Sequence, residues 1–234
     1  YNPSTNTWVT IPSSNTPIAR RAHQAYWTGS EMLVWGGASK SGTYTNSGGR
    51  YNPVTDSWTT MPTSGSIGGR YDCVSTWTGT EFLVWGGADS SNIMNTGSRY
   101  NLATNSWSGM TIVNRPSPRW RMAGVWSGSE FLIWGGGIGG SAYSDGKKYD
   151  PVTDTFTSIT NTGTTTARQG HSFVWTGSEL LVWGGYNNAT NTTLNTGARY
   201  NPTTNSWVLF GSSQITPRYG QSMAWTGSEM LAWG

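Results

Sequence analysis

One pattern returns through the chain at a step of 49 to 51 residues, and it limits what the chain can become. A Trp-Thr-Gly-Ser segment or close variant precedes Glu31, Glu81, Glu130, Glu179 and Glu229. A Leu-Val-Trp-Gly-Gly segment or close variant surrounds Trp35, Trp85, Trp134 and Trp183, and the chain ends on Trp233-Gly234. A Tyr-Asn-Pro-x-Thr-Asn-Ser-Trp segment or variant starts at Tyr1, Tyr51, Tyr100, Tyr149 and Tyr200. Three motifs at one spacing make a repeat architecture, in which each unit buries its apolar faces against its neighbours.

Each unit parses into four short strands. Strand a runs from about Arg20 to Trp27. Thr28-Gly29-Ser30 reverses the chain as a glycine-containing hairpin. Strand b, Glu31 to Trp35, is an apolar run suited to burial on both faces. Gly36-Gly37 ends it and opens a variable loop. Strand c carries Arg50-Tyr51, and Asn52 to Asp56 supplies turn residues. Strand d runs from Trp58 to about Met61-Pro62. Four strands per unit at this period, with no helical pattern, predict propeller blades.

Composition agrees. Charged residues are 11% of the chain, with 32 Gly and 15 Trp, which excludes a charged disordered chain and disfavours helices. No apolar run reaches the ~20 residues of a membrane span. The net charge is +3 and there is no Lys/Arg run, so no nucleic-acid footprint is indicated. Cys73 is the single cysteine, so no intrachain disulfide forms. Tyr1 opens directly into the repeat, which predicts a mature, trimmed or recombinant start without a signal peptide.

The Gly-Gly pair after an apolar strand, the following Tyr, and a Trp about seven residues later resemble the kelch repeat of bacterial type. Pro118-Arg119 and Pro217-Arg218 at the start of strand a are also similar. Phe156 in a Trp slot and Leu102 in place of the turn proline depart from the pattern. The resemblance covers essentially the whole chain and implies an all-β, five-bladed β-propeller with four antiparallel strands per blade. The expected blades are 20–61, 70–110, 119–158, 168–209, and 218–234 plus 1–11, within a single domain of residues 1–234. The last blade is thus expected to close with strands from both termini, which removes exposed strand edges. A fragment of a longer array is the alternative.

Residues held in every repeat are expected to serve the blade. Residues that vary are free to serve a site. The Trp columns account for every Trp but Trp120 and read as packing. All five Glu occupy one hairpin slot, and such repetition argues against a catalytic carboxylate pair. Arg20, Arg70, Arg119, Arg168 and Arg218 open strand a, one per blade. Since strand a is innermost in a propeller, they are a candidate ring for an anion at the channel mouth; bonding to backbone carbonyls is the alternative. The next two columns vary most and add Tyr71, Trp120, Arg121 and Tyr219 as candidate ligand-binding residues. The loops 38–46, 88–95, 137–144 and 186–195 are further recognition candidates.

Catalytic and metal patterns are thin. His23, Cys73 and His171 share one strand-a slot, whose other members are Met122 and Gln221, and core packing is the expected role. Copper radical oxidases also use a kelch-like propeller, but no Tyr/His/Cys set here matches theirs. The expected function is a non-catalytic binding, adhesion or scaffolding module. Its partner would be a protein, a glycan or a small anionic ligand, taken at the channel mouth. No cofactor and no metal are expected, and a monomer at a bacterial cell surface, in the periplasm or outside the cell is. A kelch-propeller enzyme acting on a sugar as an epimerase or lyase, and a purely structural or engineered repeat protein, are the alternatives. Fold does not choose among them.

Overall fold

A computed structural model describes residues 1–211 and 214–234. The described residues contain no helix. Four antiparallel sheets each take four strands in the order a-b-c-d, with short two-residue strands between b and c in three of them. The first is Gln24–Trp27, Met32–Trp35, Gly48–Asn52 and Ser57–Met61; the second is Val74–Trp77, Glu81–Trp85, Gly97–Asn101 and Ser106–Gly109. The third is Ala123–Trp126, Phe131–Trp134, Gly146–Asp150 and Thr155–Ser158; the fourth is Ser172–Trp175, Leu180–Trp183, Gly197–Asn201 and Ser206–Phe210. A final hairpin pairs Ser222–Trp225 with Met230–Trp233. Successive sheets meet along their a strands, so those strands line the inside of the array.

The turns follow from local chemistry. At the a–b turn the Thr28 hydroxyl accepts the Glu31 amide at 2.9 Å, and Gly29 takes φ +102. At the c–d turn Asn52 Oδ1 accepts the amides of Val54 and Thr55, an Asx-type turn, and Asp56 sits in the left-handed region. The same devices recur at Thr78 and at Asn101.

In the second and third sheets strand b has a partner strand on each side and a sheet against each face, so its apolar run is enclosed. Phe82, Leu83, Val84 and Trp85 are 0% exposed. The b-strand tryptophans pack across the seams onto the d-strand aromatics of the next sheet, as Trp35 does on Trp107 (5.6 Å) and Trp134 on Trp207 (5.0 Å). Phe156 fills the corresponding place in the cluster around Trp85. The packing role expected of the aromatic columns is seen for the b- and d-strand aromatics of the four sheets, whereas Trp8, Trp27 and Trp233 are exposed.

The expected pairing of the two ends is not present among the described residues. Met230–Trp233 pairs only with Ser222–Trp225, and residues 1–11 form a separate turn bridged at Asn2 and Thr7.

The Gly-Gly step combines positive φ with close packing. Gly136 has φ +86, and a Cβ there would stand 2.7 Å from the Trp120 carbonyl oxygen and 2.8 Å from the Met122 Cβ. Gly128 has φ +101 with nothing within 4 Å. A non-glycine residue at such φ costs about 1–3 kcal/mol by itself. Gly128→Ala should therefore lose an amount in that range in chemical denaturation, and Gly136→Ala clearly more, because backbone must also move. Equal losses would contradict this account of the step.

Candidate functional site

The start of strand a brings the repeat and its exceptions together. The five arginines of the column behave alike. Each Nε donates to the carbonyl two residues earlier, those of Ile18, Gly68, Ser117, Thr166 and Thr216. Each Nη1 donates to the first Gly-Gly carbonyl of its own unit: Gly36, Gly86, Gly135, Gly184 and Gly234. Arg70, Arg119 and Arg168 are at most 2% exposed. Burial draws the Arg70 and Arg168 pKa down to about 10; that of Arg119 is also lowered by burial, with Asp145 at 3.0 Å opposing the shift.

This corrects the expected anion ring. The guanidinium groups of Arg20, Arg70, Arg119, Arg168 and Arg218 are spent on carbonyls within their own units rather than turned to solvent. The reason is the Gly-Gly turn and the loop after it, which leave carbonyls that a multi-donor fork satisfies. The same arginines also join neighbouring units through the backbone. Gly37, Gly87, Gly136 and Gly185 donate their amides to the carbonyls of Arg70, Arg119, Arg168 and Arg218 of the next unit, at 2.7–2.9 Å.

The following residue pairs with the strand just after Gly-Gly, as Trp120 does reciprocally with Gly137 at 3.1 and 3.0 Å. The residue after that turns into the left-handed region at Ala22, Asp72, Arg121, Gly170 and Gly220. These inner residues are chained across units: Arg121 N to Asp72 O, Gly170 N to Arg121 O, and Gly220 N to Gly170 O. The backbone at the mouth is thus fixed, and the side chains of the two variable columns stand on it.

Those side chains form a connected aromatic surface. Tyr71 stacks on Tyr44 at 5.1 Å and meets Trp120 edge-on at 5.9 Å. The Arg121 guanidinium lies 4.5 Å over Trp120, and its Nε donates to Asp72 at 2.8 Å. Tyr219, 61% exposed, faces Tyr186 at 6.1 Å. Arg121, Gln169, Gly170, Tyr186 and Tyr219 enclose a cleft of about 300 Å³. Of the candidate residues, Tyr71, Trp120, Arg121 and Tyr219 therefore share one surface. Tyr44 and Tyr186 join them from the variable loops. Their signal in the sequence was a tyrosine within a loop otherwise rich in Ser, Thr, Asn and Gly.

The Glu column lies on the opposite side of the blades. Glu31, Glu81, Glu130 and Glu179 pair with Arg50, Arg99, Lys148 and Arg199 of strand c. Arg50 and Arg99 also reach the phenols of Tyr100 and Tyr149 in the next unit, at 3.3 Å each. These acids tie strands and neighbours together. The His/Cys slot is likewise a wedge between units: Met122, His171 and Gln221 press on Gly86, Gly135 and Gly184 of the preceding one. Among the described residues no three His, Cys, Asp or Glu side chains gather as a metal site.

Repeated four-stranded units joined through their a strands, each with a Gly-Gly step stapled to the next arginine, define a kelch-type β-propeller. The family model for the KLHDC2/KLHL20/DRC7 Kelch-repeats domain matches residues 1–176, and that for the Kelch motif matches residues 167–213. The chain belongs to the kelch-repeat family. No curated protein matches it. Kelch repeats commonly mediate protein binding or scaffolding, which fits a non-catalytic propeller. No helix among the described residues is long and apolar enough to cross a membrane.

His171 carries a pH consequence. Burial, with the nearby Arg168 charge adding to it, lowers its pKa from 6.5 to about 3. Its folded value lies below the unfolded one, so above pH 6.5 it leaves stability untouched. Below that, the unfolded chain takes the proton first, and stability falls by about 1.4 kcal/mol per pH unit until about pH 3. Gln221 fills the same slot in the last unit and donates to the Trp183 carbonyl at 3.1 Å. His171→Gln should therefore lose about 2 kcal/mol less than the native chain between pH 7 and pH 5 in urea titrations. Parallel losses would contradict the assignment.

Proposed function

We propose that the chain is a protein-binding propeller whose recognition surface is the channel mouth formed by Tyr71, Trp120, Arg121 and Tyr219. One observation carries this. The residues that break the repeat at the start of strand a, scattered over separate units, sit on a fixed backbone as one aromatic and cationic surface. Aromatic rings and arginine are the side chains that contribute most per residue at protein interfaces. The repeated Arg column bonds carbonyls of its own units, and Glu31, Glu81, Glu130 and Glu179 pair with basic residues of strand c.

A random peptide library panned on the chain should yield a convergent motif. Its binding should weaken at least ~10-fold on combining Trp120→Ser with Tyr219→Ser, two losses of interface-anchor size. Val54, 90% exposed at the c–d turn on the far face, is the control. Binding that follows Val54→Ser and ignores the mouth pair would place recognition elsewhere.

We propose further that the single domain is a five-bladed ring. Its fifth sheet would be completed by c and d strands of the kind that residues 1–11 begin. In the other seams the hairpin Glu has a basic partner and the aromatic columns are covered. At this seam Glu229 has no basic partner among the described residues, and Trp8, Trp27 and Trp233 are 81%, 53% and 84% exposed. Closure should shield Trp8, so Trp8→Phe should remove little of the acrylamide-quenchable emission. Loss of a strongly quenched component would mean that residues 1–11 stay outside the ring.

A further inference from the structure

Three seams between units are built on the same four positions. At the first, Leu33 and Met61 of one unit and Phe82 and Tyr100 of the next share one cluster. Leu83, Met110, Phe131 and Tyr149 repeat it at the second seam, and Leu132, Ile159, Leu180 and Tyr200 at the third. Each tyrosine stands on strand c opposite the b-strand member of its set: Tyr100 opposite Phe82, Tyr149 opposite Phe131 and Tyr200 opposite Leu180. All three are 0% exposed. Their phenols do not stay bare. Tyr100 and Tyr149 accept from Arg50 and Arg99, strand-c arginines of the preceding unit, at 3.3 Å each.

The fourth seam carries three of the four positions. Leu181 and Phe210 hold the first two and Met230 the third, and with Glu179, Arg199 and Trp225 they wall an open cleft of about 540 Å³ that no tyrosine lines. The arginine of this seam differs accordingly. The Arg199 side chain is 51% exposed and its Nη1 stands 3.7 Å from Glu179, whereas Arg50 and Arg99 are 17% and 20% exposed and meet their glutamates at 2.8 and 2.6 Å. An apolar cleft with an arginine fork at its rim fits a ring that carries one oxygen.

The matching side chain lies in the same chain. By the repeat, Tyr1 is the fifth member of the column of Tyr51, Tyr100, Tyr149 and Tyr200. It is 60% exposed, but it has the local shape of a buried member. Its hydroxyl donates to Asn6 at 2.8 Å and its ring meets Trp8 at 5.1 Å, as Tyr100 donates to Asn105 and meets Trp107 at 5.1 Å. We propose that the cleft is a phenol socket whose occupant is Tyr1, with Leu181, Phe210 and Met230 enclosing the ring and Arg199 donating to its oxygen. The proposal rests on the reading of the domain as a five-bladed ring. It adds the contact that holds the ring closed, and it makes the cleft a binding site for small phenols once Tyr1 is removed.

The test is a nuclear magnetic resonance titration of the full chain, read at the Met230 methyl. Met230→Leu assigns that signal, Leu180 being the counterpart in the preceding unit. The probes are p-cresol, which is the tyrosine side chain as a free molecule, and toluene, the same ring without the oxygen. In the native chain the Met230 methyl should stand upfield of its position in Tyr1→Ala, since a ring packed on a methyl shields it, and p-cresol should leave it unmoved. In Tyr1→Ala, p-cresol should restore the shift saturably, with a dissociation constant on the order of millimolar. Arg199→Met on that background should weaken p-cresol at least ~5-fold, as loss of a hydrogen bond to a charged donor does, and leave toluene unchanged. The methyl signals of Met61 and Met110, in the complete seams, report that the rest of the chain stays folded.

The same Met230 position in the native and Tyr1→Ala chains, or a native chain that binds p-cresol as well as the variant does, overturns Tyr1 as the occupant. No response to p-cresol in folded Tyr1→Ala overturns the socket. Equal effects of Arg199→Met on the two probes overturn the role given to Arg199. A native Met230 shift that appears only as protein concentration rises puts a second copy's Tyr1 in the cleft and overturns closure within one chain. The Trp8 quenching experiment decides the ring separately: a shielded Trp8 with Met230 unmoved leaves the ring standing and removes only the tyrosine contact.

Discussion

The structure depends on one arginine used in two directions. Arg168 sends its guanidinium to the carbonyls of Gly184 and Thr196 in its own unit, while its backbone carbonyl receives the Gly136 amide of the preceding one. The same arrangement is built on Arg70 and Arg119. Side-chain packing between sheets does not by itself fix distance or angle, and the other backbone bonds between units, such as Arg168 N to Tyr143 O and Gly170 N to Arg121 O, lie beside the same arginine backbone. The staple supplies direction. It also explains why a charge can sit with almost no exposure: the Arg168 fork is fully engaged, so burying it does not leave bare donors.

Much else follows from that contact. The Gly-Gly pair must be glycine because both residues take positive φ while strand a of the next unit presses on the first and strand a of their own unit presses on the second. Once the arginine backbone is pinned, the residue after it must pair with the strand leaving Gly-Gly, and the one after that must turn inward. The mouth is therefore rigid whatever side chains stand on it. That separation lets the same position hold Ala22, Asp72, Arg121, Gly170 or Gly220, and leaves the chain free to build one unsymmetrical surface on a symmetrical frame.

The strands, turns and packing columns were legible in the sequence because each is repeated: comparison among units stood in for an alignment. The b strand and the Asn-x-x-Thr turn appear as read, and the aromatic columns, read only as packing, stack from strand b to strand d across the seams. The arginines were misread as a possible anion ring because sequence places a residue on an element but does not say where a long, flexible side chain ends. The carbonyls left by the Gly-Gly turn decide that, and they become visible only in three dimensions. Pairing of the termini was expected from strand count; among the described residues Met230–Trp233 pairs with Ser222–Trp225, and residues 1–11 bridge only at Asn2 and Thr7. Tyr71, Trp120, Arg121 and Tyr219 were legible as exceptions to the repeat. The contributions of Tyr44 and Tyr186 were not, since loop length and path set which tyrosine reaches the mouth.

The account stands on the backbone bond from the second glycine of each pair to the next arginine. Amide hydrogen exchange at Gly87, Gly136 and Gly185 tests it most directly. These amides lie outside the sheet ladders, so in an array held only by side-chain packing they would exchange far faster than the strand-b amides of Leu83, Leu132 and Leu181. If the staple joins the units, their protection should match that of strand b to within about tenfold, since both would then open only with the cooperative unit. Exchange at loop-like rates in a chain whose strand-b amides stay protected would contradict the account.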